Sequence, residues 1–287
     1  MFRNMALGLA GALVLAGSAH AGGLKDGPFV PEPNWAGSYF GVYGGYGNGE
    51  SSVVSKTTST SIPWIVNAAT APTPSQAVID KTQSPSLSPE GYDVGGTFGH
   101  NWQAGSLVFG VEGSFGAFHL SDTATNSTPA VTYTATIVNQ SAVTSVTTVD
   151  TDWLATIRGR LGFSTGRALF YGTGGAAFTS INFHQRNAYS YGGAAAFVNY
   201  GSENTSASDT LTGWTAGGGI ELKLGGAWSG KLEYLRVDFG NIAATGTVYS
   251  PTGVNRATVS HTADLSADIV HVGLNYHFGH QVYEPLK

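Results

Sequence analysis

The stretch WTAGGGIELKLGGAWSGKLEYLRVDF (Trp214–Phe239) decides the fold. Read at alternate positions, Trp214, Ala216, Gly218, Ile220, Leu222 and Leu224 form an uncharged row, and Thr215, Gly217, Gly219, Glu221 and Lys223 a polar and small one. A period of two marks a β-strand with two unlike faces. Gly225-Gly226 supplies a tight turn, after which Lys231 and Glu233 continue the charged row and Leu232 and Tyr234 the apolar one. Composition decides which face turns inward. Charged residues make up 11% of the chain, against about 25% in ordinary soluble domains. Trp214 and Trp228 each open a strand of about 9–11 residues, the length a tilted strand needs to cross a hydrocarbon layer. The hairpin therefore predicts an all-β fold: a transmembrane antiparallel up-and-down β-barrel, apolar face to lipid and polar face to the lumen.

The N-terminus predicts export. Arg3, the apolar run Met5–Gly17 and Ala19-His20-Ala21 read as a signal peptide over residues 1–21, because a charged start, a short apolar core and an A-x-A site are what signal cleavage needs. Residues 22–34 then form a proline-rich periplasmic lead-in. No later run reaches the roughly 18 apolar residues of a spanning helix, so a crossing has to be by closed barrel. The chain has 0 cysteines, which excludes disulfides and Cys-based zinc. A net charge of -5 with 13 Lys plus Arg argues against nucleic acid, which selects for a basic stripe.

Taken in order, the barrel over residues 35–278 is expected to have eight strands: Trp35–Tyr46, Tyr92–Trp102, Leu107–Phe118, Trp153–Phe163, Ala168–Phe178, Trp214–Leu224, Trp228–Asp238 and Ala267–Phe278. The alternation leaves the faces of the fifth open. Short turns lie at Ala104-Gly105, Thr165-Gly166 and Gly225-Gly226, and long outer loops near 47–90, 119–150, 182–210 and 241–265. In the first loop Pro63, Pro72, Pro74, Pro85 and Pro89 argue against a continuous strand; in the second and fourth, Val143–Thr147 and Val248–Val259 suggest strands that project beyond the membrane. On this topology Trp35, Trp102 and Trp228 form a periplasmic aromatic girdle and Trp153 and Trp214 an outer one, with Trp64 in a loop.

The motifs Trp35-Ala36-Gly37-Ser38-Tyr39-Phe40-Gly41-Val42, Val108-Phe109-Gly110-Val111-Glu112-Gly113, Trp153–Gly162 and Val272-Gly273-Leu274-Asn275-Tyr276-His277-Phe278 carry a resemblance. The chain resembles the porin-family surface antigens, or outer-membrane immunogenic proteins, of Gram-negative bacteria, over most of its mature length. The resemblance implies an eight-stranded barrel in the bacterial outer membrane and no enzymatic activity. It also implies outer-membrane lipid, lipopolysaccharide and the barrel-assembly machinery as partners, the last reading Tyr276 and Phe278 as a C-terminal signal. Such barrels normally stop at the terminal aromatic, whereas here residues 279–287 follow Phe278 as a tail.

The inward row carries Glu112, Arg158, Arg160, Glu221, Lys223, Lys231 and Glu233. An eight-stranded barrel is only wide enough to be filled by its side chains, and unpaired charge inside it is costly, so a salt-bridged plug is expected over a narrow ion path. Arg236 and Asp238 share the lipid parity, which requires either a bulge or a position above the hydrocarbon. Histidines invite a metal or haem reading: His100, His271 and His277 in strands, His119, His184 and His261 in loops, and His280 in the tail. No pair has helical ligand spacing. His261 with Ser260 or Ser266 could suggest hydrolysis, but no acid is placed to orient the imidazole. Gly172-Thr173-Gly174-Gly175 continues as strand rather than into a capped helix, so it is no phosphate loop; its glycines are expected to relieve crowding in a narrow barrel. The expected function is structural: an envelope surface protein presenting outer loops to a host or surface ligand, without cofactor. The alternatives are a passive porin and haem or metal capture by the outer loops.

Overall fold

The structure, a computed structural model, describes residues 34–59, 74–128, 131–132, 140–193 and 196–278. The signal peptide and most of the lead-in expected at the N-terminus, Trp64, and the tail after Phe278 lie outside the described residues. The described elements are β1 (Gly37–Ser59), α1 (Pro74–Thr82), β2 (Ser86–Leu87), β3 (Glu90–Ala104), β4 (Leu107–Ser127), β5 (Val131–Thr132), β6 (Gln140–Ser164), β7 (Ala168–Gly193), β8 (Ala196–Gly225), β9 (Trp228–Tyr249) and β10 (Asn255–His277). Eight long antiparallel strands follow one another as β1-β3-β4-β6-β7-β8-β9-β10, and β10 pairs back onto β1. That last ladder runs from Tyr39↔His277 to Ser59↔Ala257 and closes the ring. At the level of the exposed apolar belt, closure leaves no edge among the described strands and pairs the backbone groups that lipid could not solvate.

The three tight turns lie where the glycines put them. Gly105, Gly166 and Gly226 have φ of 60°, 73° and 53°, in the left-handed region that only glycine enters without a Cβ penalty. At the opposite end the strands outrun the membrane. β6, β7 and β8 have 25, 26 and 30 residues, far beyond the roughly 9–11 that a crossing needs. Much of what the composition suggests as loops is therefore wall. The reading of 182–210 as a loop is corrected: β7 and β8 stay paired from Asn182↔Ser208 up to Gly193↔Ala196. The Ser/Thr-rich sequence misleads because both faces of a projecting wall can be polar. Within 47–90, β1 continues to Ser59 and α1 begins at Pro74, where a missing amide hydrogen costs nothing. Pro85 and Pro89 flank β2, and their carbonyls accept hydrogen bonds from Val53 and Gly49 at 3.0 and 2.7 Å. This segment stands in for β3, which starts only at Glu90.

Inside and outside alternate as a barrel requires. Trp214, Leu222 and Leu224 face out while Glu221 and Lys223 are buried. On β7 the faces left open by the sequence are resolved: Leu169, Tyr171 and Ala177 point in, and Phe170 is exposed. The parity reverses on β6 between Thr151 and Leu154, where the register with β7 shifts. It reverses again on β9 at Gly240, which has φ 71°, so that Phe239 and then Ile242 are both buried. Arg236 and Asp238 precede that bulge and keep the outward parity; Arg236 pairs with Asp268 at 2.7 Å on the outer surface.

The lumen is filled in storeys. An ionic layer lies toward the short turns. Above it comes an apolar layer that includes Phe118, Leu120, Leu154, Leu235, Val237 and Ile269. Higher still is a polar layer around Glu203 and His261, topped by Ile79, Val143, Tyr189, Val248 and Val259.

Candidate functional site

The ionic layer gathers the charged residues picked out by strand parity. Arg158 on β6 pairs with Glu112 on β4 and, at 2.8 Å, with Glu233 on β9. Lys231 lies 3.4 Å from both carboxylates. Arg160 pairs with Glu221 on β8 and sits over the Tyr171 ring at 3.7 Å. Tyr39 donates to Glu112 at 2.7 Å and accepts from Arg160 at 3.2 Å, joining the two groups. Glu221 also accepts from Ser229 at 2.5 Å and Asn275 at 2.8 Å, with His277 Nε2 at 3.3 Å. Side chains from seven strands thus meet in one buried network around charges on β4, β6, β8 and β9. Such pairs are best tolerated when their remaining hydrogen-bonding capacity is also used; the Tyr39, Ser229 and Asn275 contacts use part of it, while the Nε groups of Arg158 and Arg160 have no hydrogen-bond partner among the described residues.

Lys223 is the exception, with Nζ 4.5 Å from the Trp35 ring centroid. This corrects the place of Trp35. Its side chain is 0% exposed, its Nε1 donates to the Gly166 carbonyl at 3.0 Å, and it packs edge-on against His277. Trp35 shares the inward odd parity of Tyr39 and Tyr43, so it closes the short-turn mouth from within and does not join the girdle. Trp102, Trp214 and Trp228 are exposed and Trp153 is half-buried. Tyr276 and Phe278 face out beside Trp228. The glycine run also divides: a Cβ on Gly172 or Gly174 would meet nothing closer than 3.9 and 3.4 Å, while one on Gly175 would collide with the Ile157 carbonyl. Crowding explains Gly175 and not the two outward glycines.

The histidines do not converge. His271 bonds Asp93 at 2.7 Å and stacks near Tyr43 inside the barrel. His119 and His184 lie on the outer face, His119 against Tyr92. Among the described residues no group of three or more His, Asp or Glu side chains could hold a metal ion.

His261 has partners that local sequence did not reveal. Its Nδ1 is 2.8 Å from Ser55 Oγ and its Nε2 is 2.6 Å from Glu203 Oε1. Ser55, rather than Ser260 or Ser266, supplies the hydroxyl, and Glu203 is the orienting acid the sequence seemed to lack. The composition is that of a nucleophile triad, but the arrangement is closed. Ser55 Oγ donates to the Gln83 carbonyl at 2.7 Å, Glu203 also accepts from Asn187 at 2.6 Å and Thr205 at 2.5 Å, and all three residues are buried. No reacting atom can approach the hydroxyl. The cluster pins β1, β8 and β10 to the segment after α1, where Gln83 also donates to Tyr189 at 2.9 Å. Burial, and then the nearby Glu203 charge, hold the Tyr189 phenol well above its ordinary range, so it stays neutral.

Comparison with known proteins gives three findings. The family described as "Outer membrane protein beta-barrel domain" matches residues 7–278. The chain is 32% identical over 190 residues to the 31 kDa outer-membrane immunogenic protein of Brucella melitensis, covering 64% of this chain and 66% of that one. It is 27% identical over 151 residues to a 22 kDa outer membrane protein of Rhizobium leguminosarum, covering 52% and 54%. The chain thus spans just under two thirds of the first of these relatives. Among solved structures, Ail, the attachment invasion locus protein of Yersinia pestis, aligns with 82% of this chain and 98% of its own at 10% identity, with a TM-score of 0.30.

Proposed function

The chain belongs to the outer membrane protein β-barrel domain family, and from that premise we propose that this outer-membrane protein is a sealed, non-catalytic surface barrel. Its membrane half anchors and stabilises the envelope, and its projecting wall makes contacts outside the cell. One observation carries this reading: the apolar layer of Phe118, Leu120, Leu154, Leu235, Val237 and Ile269 lies across the lumen beyond the ionic layer. A passive pore needs continuous water, and buried apolar side chains at interior packing leave none. Catalysis is disfavoured because Ser55 is enclosed with its hydroxyl engaged, and haem or metal capture because His119 and His184 point away from His261. The partners that fit are outer-membrane lipid and lipopolysaccharide along the exposed belt, the assembly machinery at Tyr276 and Phe278, and a surface ligand on the projecting wall.

The test is conductance of the refolded chain in a planar bilayer, with a heat-modifiability gel to report folding. A folded barrel without steady single-channel steps is expected. Reproducible steps that change on Glu112→Gln would replace this reading with the porin.

A further inference from the structure

The outer face of the projecting wall carries many small polar side chains, with larger ones such as Val54, Lys56 and Tyr249 among them, and on β7 an imidazole and a guanidinium stand together. On β7 the exposed side chains of His184 and Arg186 stand two residues apart on the outward face. Thr148 and Ser206 flank His184 on the neighbouring strands, and Val146 and Asn204 flank Arg186. Val146, Thr148, His184 and Arg186 line a depression of about 330 Å³, at the small end of the roughly 300–1,000 Å³ typical of small-molecule sites.

Charge on this face is divided. Asp150 and Asp152, one and two rows lower, keep their negative charges but are turned to neutral donors: Asn182 donates to them at 2.8 and 3.1 Å, and Ser180 to Asp152 at 3.1 Å. Neither His184 nor Arg186 has an ion pair with any described residue. A guanidinium fork is suited to a planar or tetrahedral oxyanion, which it grips with two parallel hydrogen bonds. The imidazole offers a further donor, and the paired hydroxyls of Thr123 and Thr148, 2.9 Å apart, lie on the rim. Height narrows the ligand. His184 lies six residues beyond Phe178, about 20 Å along the strand, past the exposed apolar belt and so beyond lipid headgroups. What occupies that zone on a cell surface is polar and hydroxyl-rich.

We propose that the depression between His184 and Arg186 binds a phosphate or sulfate group carried on a saccharide. This deepens the reading of the projecting wall as a contact surface and is independent of the sealed lumen: a barrel that conducts yet binds would remove that proposal and leave this one.

The experiment is an NMR titration of the full chain refolded in detergent, following the His184 imidazole, identified by its loss in His184→Gln. Glucose 6-phosphate, inorganic phosphate and glucose are the probes. Glucose 6-phosphate should give a saturable shift, at least threefold tighter than inorganic phosphate, with glucose giving none. Arg186→Gln should weaken it tenfold or more, and Arg186→Lys less. Equal affinity for inorganic phosphate would overturn the saccharide. A shift that does not saturate, or one unchanged in Arg186→Gln while the gel shows a folded barrel, would overturn the site.

Discussion

Arg158 neutralises two carboxylates, those of Glu112 and Glu233, at a place water does not reach. Truncating it leaves negative charge buried with Lys231 alone to offset it. Arg158→Ala should therefore destabilise the barrel by about 3–5 kcal/mol, read as a lower urea midpoint for the shift between heat-modifiable and unfolded bands. Removing the whole group as Glu112→Gln, Arg158→Met, Lys231→Met and Glu233→Gln together should cost less than the single change, because the desolvation cost leaves with the charges. A quadruple variant less stable than Arg158→Ala would show that the pairing itself is favourable. Asp80 presents the opposite case, outside the membrane. Burial raises its carboxyl above the ordinary range, outweighing the lowering by its Thr57 partner. A raised acid binds its proton more tightly when folded, so its contribution is greatest below the unfolded value and is lost as pH rises through the folded one. Asp80→Asn should mimic the protonated form, since its side-chain oxygen can still accept from the Thr57 amide, 3.1 Å away in the wild type. Hydrogen exchange around α1, corrected for intrinsic rates, should slow at pH 7 and lose its dependence across the carboxylate range.

At the scale of the element, β9 shows how one residue sets a face. Up to Phe239 the inward positions are odd-numbered; beyond Gly240 they are even, with Ile242 and Val248 buried. The left-handed φ of 71° lets the strand slip by one residue without leaving the sheet. A Cβ there would meet nothing within 4 Å, so the cost of Gly240→Ala is backbone strain alone, about 1–2 kcal/mol. A urea midpoint unchanged in that variant would mean the strand relaxes by another route. α1 works differently. It is too short to be stable alone and holds its place through Ile79 and Gln83, both buried under the walls.

For the whole molecule, the ladder that closes the ring continues to Ser59↔Ala257, and β8 has 30 residues. With about 3.4 Å per residue and a tilt near 40°, the wall should stand roughly 35–45 Å above the bilayer. Atomic force microscopy of the chain in supported membranes should find rigid protrusions of that height. Heights under about 10 Å would mean that the upper barrel collapses when free of lipid.

The alternation of Trp214–Leu224, the positive-φ glycines and the charges on one parity are local properties, so strand type, turn positions and the inward charged row are legible in the sequence alone. Each depends on a period of two or on one residue's conformational freedom. What tertiary structure decided is what depends on register and ring closure. Ser55 and His261 are 206 residues apart and His261 and Glu203 58; the β1–β10 ladder pairs the first two, and the inward parity of β8 brings Glu203 to them inside the barrel. Trp35 turns inward because its parity is counted from a strand that begins after it. The Ser/Thr-rich stretches became wall because a hydroxyl suits a polar lumen as well as it suits water, so composition there does not distinguish strand from loop. The sealing layer of Phe118, Leu154, Leu235 and Ile269 came from four strands separated in the chain; each keeps the inward parity of the ionic layer below it, and only ring closure and register bring the four to one height.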